Sequence, residues 1–338
     1  MISLSDVKSS NSLISSTLPP GLVAVFVGAT SGIGEITLKK FAEYSRQPRA
    51  YFIGRSQDAA DRIVAECKAL NPAGEYIFMK ADVSLIRVVD EVCKEISVKE
   101  KVVNMLFLSV GVPSIDRSQT PEHLHLLAAL NYYSRIRFIT NLLPLLQHAP
   151  SLRRIVTVGG GGHEGPLDPT DFSALRVPLL GLRGHLSTLI SLGLEAVART
   201  APEVSFVHDY PGTVKTALLS RAEGVSGVLL RMYVSILGRW VCVPVEESGE
   251  RHLYLATSAR FPPVRGGSAA VRLGAGVGVA LGTTGETGSG VYSVGWDCES
   301  TSRAVRELLA GLREKGMVEE VWRHTEGEFN RITELDGG

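Results

Sequence analysis

The stretch Val25-Phe26-Val27-Gly28-Ala29-Thr30-Ser31-Gly32-Ile33-Gly34-Glu35 constrains this chain most. An apolar run stops on a glycine cluster and continues into helix-like sequence, which predicts strand, tight turn and helix start. Gly28 permits the sharp turn, Gly32 lets backbone approach a ligand, and Gly34 lets the new helix pack closely on the sheet. Unspent amides at such a helix start attract phosphate. The pattern carries weight only if strands and helices keep alternating after it.

They do. Residues 22–27, 50–53, 76–79, 102–108, 154–158 and 204–208 read as short buried strands, separated by helical patterns at 36–44, 59–70, 85–96, 121–147 and 185–199. This rhythm predicts right-handed crossovers and a doubly wound parallel sheet, an α/β Rossmann-type fold with helices on both faces. With 338 residues and 44% apolar content, one large domain spanning 21–338 suffices. Residues 1–20 read as a polar leader with room for one short helix, ended by Pro19-Pro20. Residues 217–245 read as a lid-like helical excursion, 262–290 as a flexible glycine-rich insertion, and 301–338 as C-terminal helices forming a lid or extension.

Thirty-five basic and thirty-five acidic residues cancel, so no global field recruits nucleic acid or an anionic membrane. No stretch reads as a membrane span, because Arg231, Arg239 and Pro244 interrupt the most apolar one. The four cysteines lack metal or redox spacing, which fits reduced thiols and a cytoplasmic setting, and residues 1–20 lack the pattern of a signal peptide. A small apolar molecule is the expected partner, and a homo-oligomer remains open.

The ordered motifs resemble those of the short-chain dehydrogenase/reductase superfamily, within it the atypical group of fungal specialised metabolism. The resemblance covers residues 22–216. Gly28, Gly32 and Gly34 match the glycine motif, with Val27 in place of its threonine. The resemblance implies a dinucleotide cofactor contacted by Gly28, Thr30, Ser31, Gly32, Ile33 and Gly34. After the second strand Gly54-Arg55-Ser56 offers a cation and a hydroxyl where an acidic residue would select NAD, so Arg55 implies NADP(H). Asp82-Val83 matches the adenine-contacting pair, Gly111 keeps the glycine after the fourth strand, and Pro211, Gly212, Thr213 and Thr216 match the segment that holds the nicotinamide.

The catalytic pattern is broken. The family's serine position falls on Gly160, its tyrosine near Pro178 and its lysine near Leu182, and no Tyr-x-x-x-Lys lies on that helix. Asn131 matches the helix asparagine that supports a proton-relay water. The expected proton donors are therefore Tyr132, Tyr133 and His163, with Glu164, Arg183, His185 and Tyr210 nearby in the pattern. Three functions stay open at this point. They are NADP(H)-dependent oxidation or reduction of an apolar natural product with a non-standard proton relay, a non-redox cyclisation, isomerisation or dehydration, and cofactor binding without catalysis.

Overall fold

The computed structural model describes residues 1–112, 117–214, 242–266 and 269–334. Seven strands form one parallel sheet: β1 (Val23–Val27), β2 (Arg49–Gly54), β3 (Glu75–Lys80), β4 (Met105–Leu108), β5 (Arg154–Val158), β6 (Ser205–Asp209) and β7 (Val291–Val294). Their order is β3-β2-β1-β4-β5-β6-β7. All residues of β1, β4, β5, β6 and β7 are buried, as expected of a parallel sheet covered on both faces.

On one face lie α1 (Leu4–Ser12), α2 (Ile14–Thr17), α3 (Gly32–Tyr44) and α4 (Gln57–Leu70). The other face carries α5 (Ile86–Lys99), α6 (Leu126–Ala128), α7 (Ser134–His148) and α8 (Leu179–Ala198). A further helix, α9 (Val245–Thr257), packs against α3 and α1. The last two, α10 (Arg303–Glu314) and α11 (Met317–Glu334), pack together, and α11 rests on α8 and α5.

Two segments behave differently from the sequence reading. The leader is part of the packed fold: α1 buries Val7, and the Asn11 side-chain amide donates to the Glu250 backbone carbonyl at 2.9 Å and to its carboxylate at 2.7 Å. The described part of 262–290 is tied down as well. Val271 and Ala280 are buried, Ala259 N–H donates to the Val271 carbonyl at 2.8 Å, and Ala280 N–H to that of Arg260 at 2.8 Å. Its glycines permit turns, but its apolar residues anchor it against the sheet. The excursion expected at 217–245 lies almost wholly outside the described residues, as does Thr216.

Strand register places the carboxyl ends of β1, β4 and β5 side by side, with Val27 opposite Leu108 and Leu108 opposite Thr157. Strand order reverses between β1 and β4, so a crevice opens above their ends. Both cavities described below open there.

Candidate functional site

A groove of about 420 Å³ follows the ends of β1, β2 and β4. Gly28, Thr30, Ser31, Gly32, Ile33, Arg55, Asp82, Val83 and Gly111 all line it. Gly28 has φ +84°, and a Cβ on it would fall 2.6 Å from Val110 N. Ser31 is the N-cap of α3, yet its side chain makes no capping hydrogen bond. The first amides of α3 therefore stand uncapped beside the groove, ready donors for phosphate oxygens.

Gly34 does not line the groove. A Cβ there would lie 2.5 Å from Ser109 Oγ and 2.7 Å from the Gly28 carbonyl, so its role is to let α3 sit against the β4 loop. Gly54, which the sequence reading did not single out, is required by Thr30, whose Oγ1 would lie 2.5 Å from its Cβ. Asp82 accepts from Ser84 N–H at 3.1 Å and Ser84 Oγ at 2.8 Å; it shapes the turn while facing the groove. Pro211, Gly212 and Thr213 are not among the described residues lining either cavity. They run past Val243 and Trp296, and Thr213 accepts from Val243 N–H at 2.8 Å.

A second cavity, about 360 Å³, adjoins the first. Val112 lines both. Leu127, Leu179, Leu182, Leu186 and Ile190 give it an apolar wall, while Asn131, Arg183 and Ser187 are the polar side chains among its described lining. Gly159 and Gly160 form its floor. Asn131 reaches it from a turn of π-helix, residues Ala129–Tyr133, inserted between α6 and α7. Such a wide turn shifts the helix face by one residue and is frequent at functional sites.

The two tyrosines beside Asn131 point away from the cavity. Tyr132 is fully buried and its hydroxyl meets Thr325 Oγ1 at 2.6 Å. The Tyr133 hydroxyl meets His324 Nε2 at 2.6 Å and Ser173 Oγ at 3.2 Å. Burial pushes both phenols well above the usual range. Both point toward α11, neither is among the described lining, and the expectation that they donate the proton is corrected accordingly: they are core residues tying the sheet face to the C-terminal helix.

His163 follows the glycine floor on an exposed loop. Its ring packs edge-on against Tyr210, centroids 4.3 Å apart, and Arg183 lies 4.5 Å over the Tyr210 ring. Partial burial, then Arg183, holds the imidazole below its ordinary value. His163 is not among the described lining but adjoins it through Arg183. His185 is buried, with Nε2 3.3 Å from the Phe172 carbonyl. Leu182, at the lysine position, lines the cavity, and Pro178, at the tyrosine position, caps α8. The Tyr-x-x-x-Lys that the chain does contain, Tyr76 and Lys80, lies on the edge strand β3.

Beneath the floor runs a buried polar network that no local motif announces. Gly160 N–H donates to His208 Nε2 at 3.0 Å. Ser191 Oγ lies 3.0 Å from His208 Nδ1 and donates to Glu164 Oε1 at 2.7 Å, which also accepts from Ser293 Oγ at 2.6 Å. Arg135 closes the same region from α7, donating to Thr157 Oγ1 at 2.6 Å and to the Val158 and Val110 carbonyls. Burial lowers its guanidinium to about 10. Among the described residues no cluster of metal-ligating type exists.

A seven-stranded parallel sheet with a glycine-turned groove at its switch point places the chain in a dehydrogenase class, and the family model described as short chain dehydrogenase matches residues 22–166. The chain belongs to the short-chain dehydrogenase/reductase superfamily. It is 41% identical to Oxidoreductase AN1596 of Emericella nidulans over 96% of this chain and 97% of that protein. Similarity to Short-chain dehydrogenase/reductase SAT2 of Stachybotrys chartarum is 28% over 91% and 92% of the two chains. Among solved structures, L-sorbose reductase from Gluconobacter frateurii, complexed with NADPH and L-sorbose, superposes with a TM-score of 0.54 over 70% of this chain and 90% of that one, at 16% identity.

Proposed function

We propose that this chain is an NADP(H)-dependent oxidoreductase acting on a carbonyl or alcohol of an apolar natural-product intermediate. The observation that carries this reading is the junction at Val112, where a groove fit for a dinucleotide opens beside an apolar cavity. The cofactor, when bound, supplies or accepts hydride. The residues present fit it: the uncapped α3 terminus and the Thr30 and Ser31 hydroxyls would hold a diphosphate. Arg55 and Ser56, at the β2 end of the groove, would hold a ribose phosphate. Pro211, Gly212, Thr213 and Thr216 remain the proposed nicotinamide segment. Asn131 positions water or substrate at the cavity, and the His163–Tyr210 pair beside Arg183 is the proposed source of the exchanged proton. Likeness over nearly the whole chain to proteins named an oxidoreductase and a short-chain dehydrogenase/reductase supports the redox reading.

A second reading has its own support. Among the described lining of the cavity there is no phenol, carboxyl, imidazole or ammonium group. A pocket of that kind accelerates cyclisation, isomerisation or dehydration by orientation, and binding of NADP(H) without turnover needs no more. The deciding experiment measures NADPH and NADH binding by fluorescence, then follows NADPH absorbance and product formation together with candidate intermediates. Loss of NADPH matched to product supports the redox reading. Product without NADPH loss overturns it in favour of the second.

A further inference from the structure

The described wall of the 360 Å³ cavity offers few hydrogen-bond donors, and most are spent. Gly159 N–H donates to the Asp209 carbonyl at 2.8 Å and Gly160 N–H to His208 Nε2 at 3.0 Å. Asn131 Nδ2 is tied to the Leu127 carbonyl at 2.9 Å. Arg183 is exposed at the rim and lies over Tyr210. Ser187 differs from all of these. It is 3% exposed, it lines the cavity, and its hydroxyl has no hydrogen-bond partner among the described residues. A helical serine can bond back to the carbonyl one turn earlier; the Ser187 hydroxyl does not, and it lies at the cavity wall instead.

Gly160 shows why the hydroxyl stands there. A Cβ built on Gly160 would fall 2.0 Å from Ser187 Oγ and 3.1 Å from Ser187 Cβ. Positions 160 and 187 compete for one volume at the cavity floor, so a side chain at one excludes a hydroxyl from the other. This chain leaves 160 bare and fills the volume from α8.

We propose that Ser187 is the substrate-binding hydroxyl of this cavity. It donates to the carbonyl oxygen of an apolar substrate whose carbon framework rests against Leu127, Leu182, Leu186 and Ile190. The proposal rests on the reading of the substrate as a carbonyl compound, and its test separates the two.

The probe is 9,10-phenanthrenequinone, an apolar dicarbonyl, titrated calorimetrically into protein saturated with NADP⁺ so that no turnover intervenes. Ser187→Ala should weaken quinone binding about tenfold, the loss of one hydrogen bond, while NADP⁺ affinity and melting temperature stay at wild-type values. Gly160→Ser alone should lower the melting temperature, because two side chains then meet. The double variant Gly160→Ser/Ser187→Gly returns a hydroxyl to the same volume from the other side. It should bind quinone more tightly than Ser187→Gly and within about threefold of wild type. Absence of quinone binding by the wild type, equal quinone affinity in Ser187→Ala, or no gain in the double variant overturns the assignment. NADPH consumption with the quinone is followed in parallel samples. Quinone binding that depends on Ser187 without any NADPH loss sinks the redox reading and leaves Ser187 in place.

Discussion

Gly160 donates its backbone N–H to Nε2 of His208 at 3.0 Å, which leaves the imidazole proton on Nδ1, facing Ser191 at 3.0 Å. The floor of the cavity thus hangs on a histidine that must stay neutral. Burial first, then Arg135 and His163, push His208 down to about 3 from an ordinary 6.5.

The unfolded chain takes up a proton near pH 6.5 that the folded chain resists until about pH 3. Stability from this group is therefore complete above pH 6.5 and lost as pH falls toward 3, with a slope of up to about 1.4 kcal/mol per pH unit. Glu164, raised by burial, pulls the other way, so the informative quantity is a difference in slopes. Denaturant unfolding of wild type and His208→Asn between pH 7 and 4 should give a flatter profile for the variant. Parallel profiles would remove His208 as an acid-sensitive support.

Arg55 is exposed at the β2 end of the groove, next to Ser56, the N-cap of α4. Arg55→Ala should weaken NADPH binding by about 10- to 100-fold, as a charge-assisted hydrogen bond of about 1.5–3 kcal/mol implies, and leave NADH binding nearly unchanged. Equal losses for both cofactors would remove Arg55 from contact with a ribose phosphate.

The hydroxyls of Tyr132 and Tyr133 are committed to Thr325 and His324. Tyr132→Phe and Tyr133→Phe should each cost about 0.5–1.5 kcal/mol of unfolding free energy, the net contribution of one hydrogen bond. Turnover at saturating cofactor should be unaffected. A variant that keeps its stability but loses turnover would return its tyrosine to the reaction.

Asn11 bridges the N-terminal helix to Glu250 on α9 by two hydrogen bonds, one of them to a carboxylate that is itself buried. Asn11→Ala should lower the melting temperature, at a cost of about 1–3 kcal/mol, without changing NADPH affinity. An unaltered melting temperature would show the leader to be only loosely attached.

At Gly34 a Cβ would meet Ser109 Oγ and the Gly28 carbonyl, both within 2.7 Å. Gly34→Ala should destabilise by about 1–3 kcal/mol through overpacking and weaken cofactor binding by displacing the α3 start. Wild-type stability and affinity in this variant would show that the turn can yield there.

By itself the sequence determined the alternation of strands and helices, the glycine turn at Gly28, and the groove residues Thr30, Ser31, Arg55 and Asp82. Those features are local: a strand period, a turn that needs positive φ, and a helix start all lie within a few residues of one another. The sequence also showed that no phenol and lysine occupy the expected helix turn. Only the tertiary structure decided what stands in the cavity instead. Asn131 lines the cavity while Tyr132 and Tyr133 reach α11, and the π-turn that carries all three is not foretold by any helical period. The glycine-rich stretch at 262–290 reads as flexible because its anchors, Thr257 and Arg260, lie elsewhere in the chain, and the partner of the polar leader, Glu250, lies farther still. Gly160 and Ser187 are 27 residues apart in the chain, and their competition for one volume exists only once α8 packs across the end of β5. Side chains that share space across a sheet leave no periodic trace in either segment, so packing alone revealed the hydroxyl.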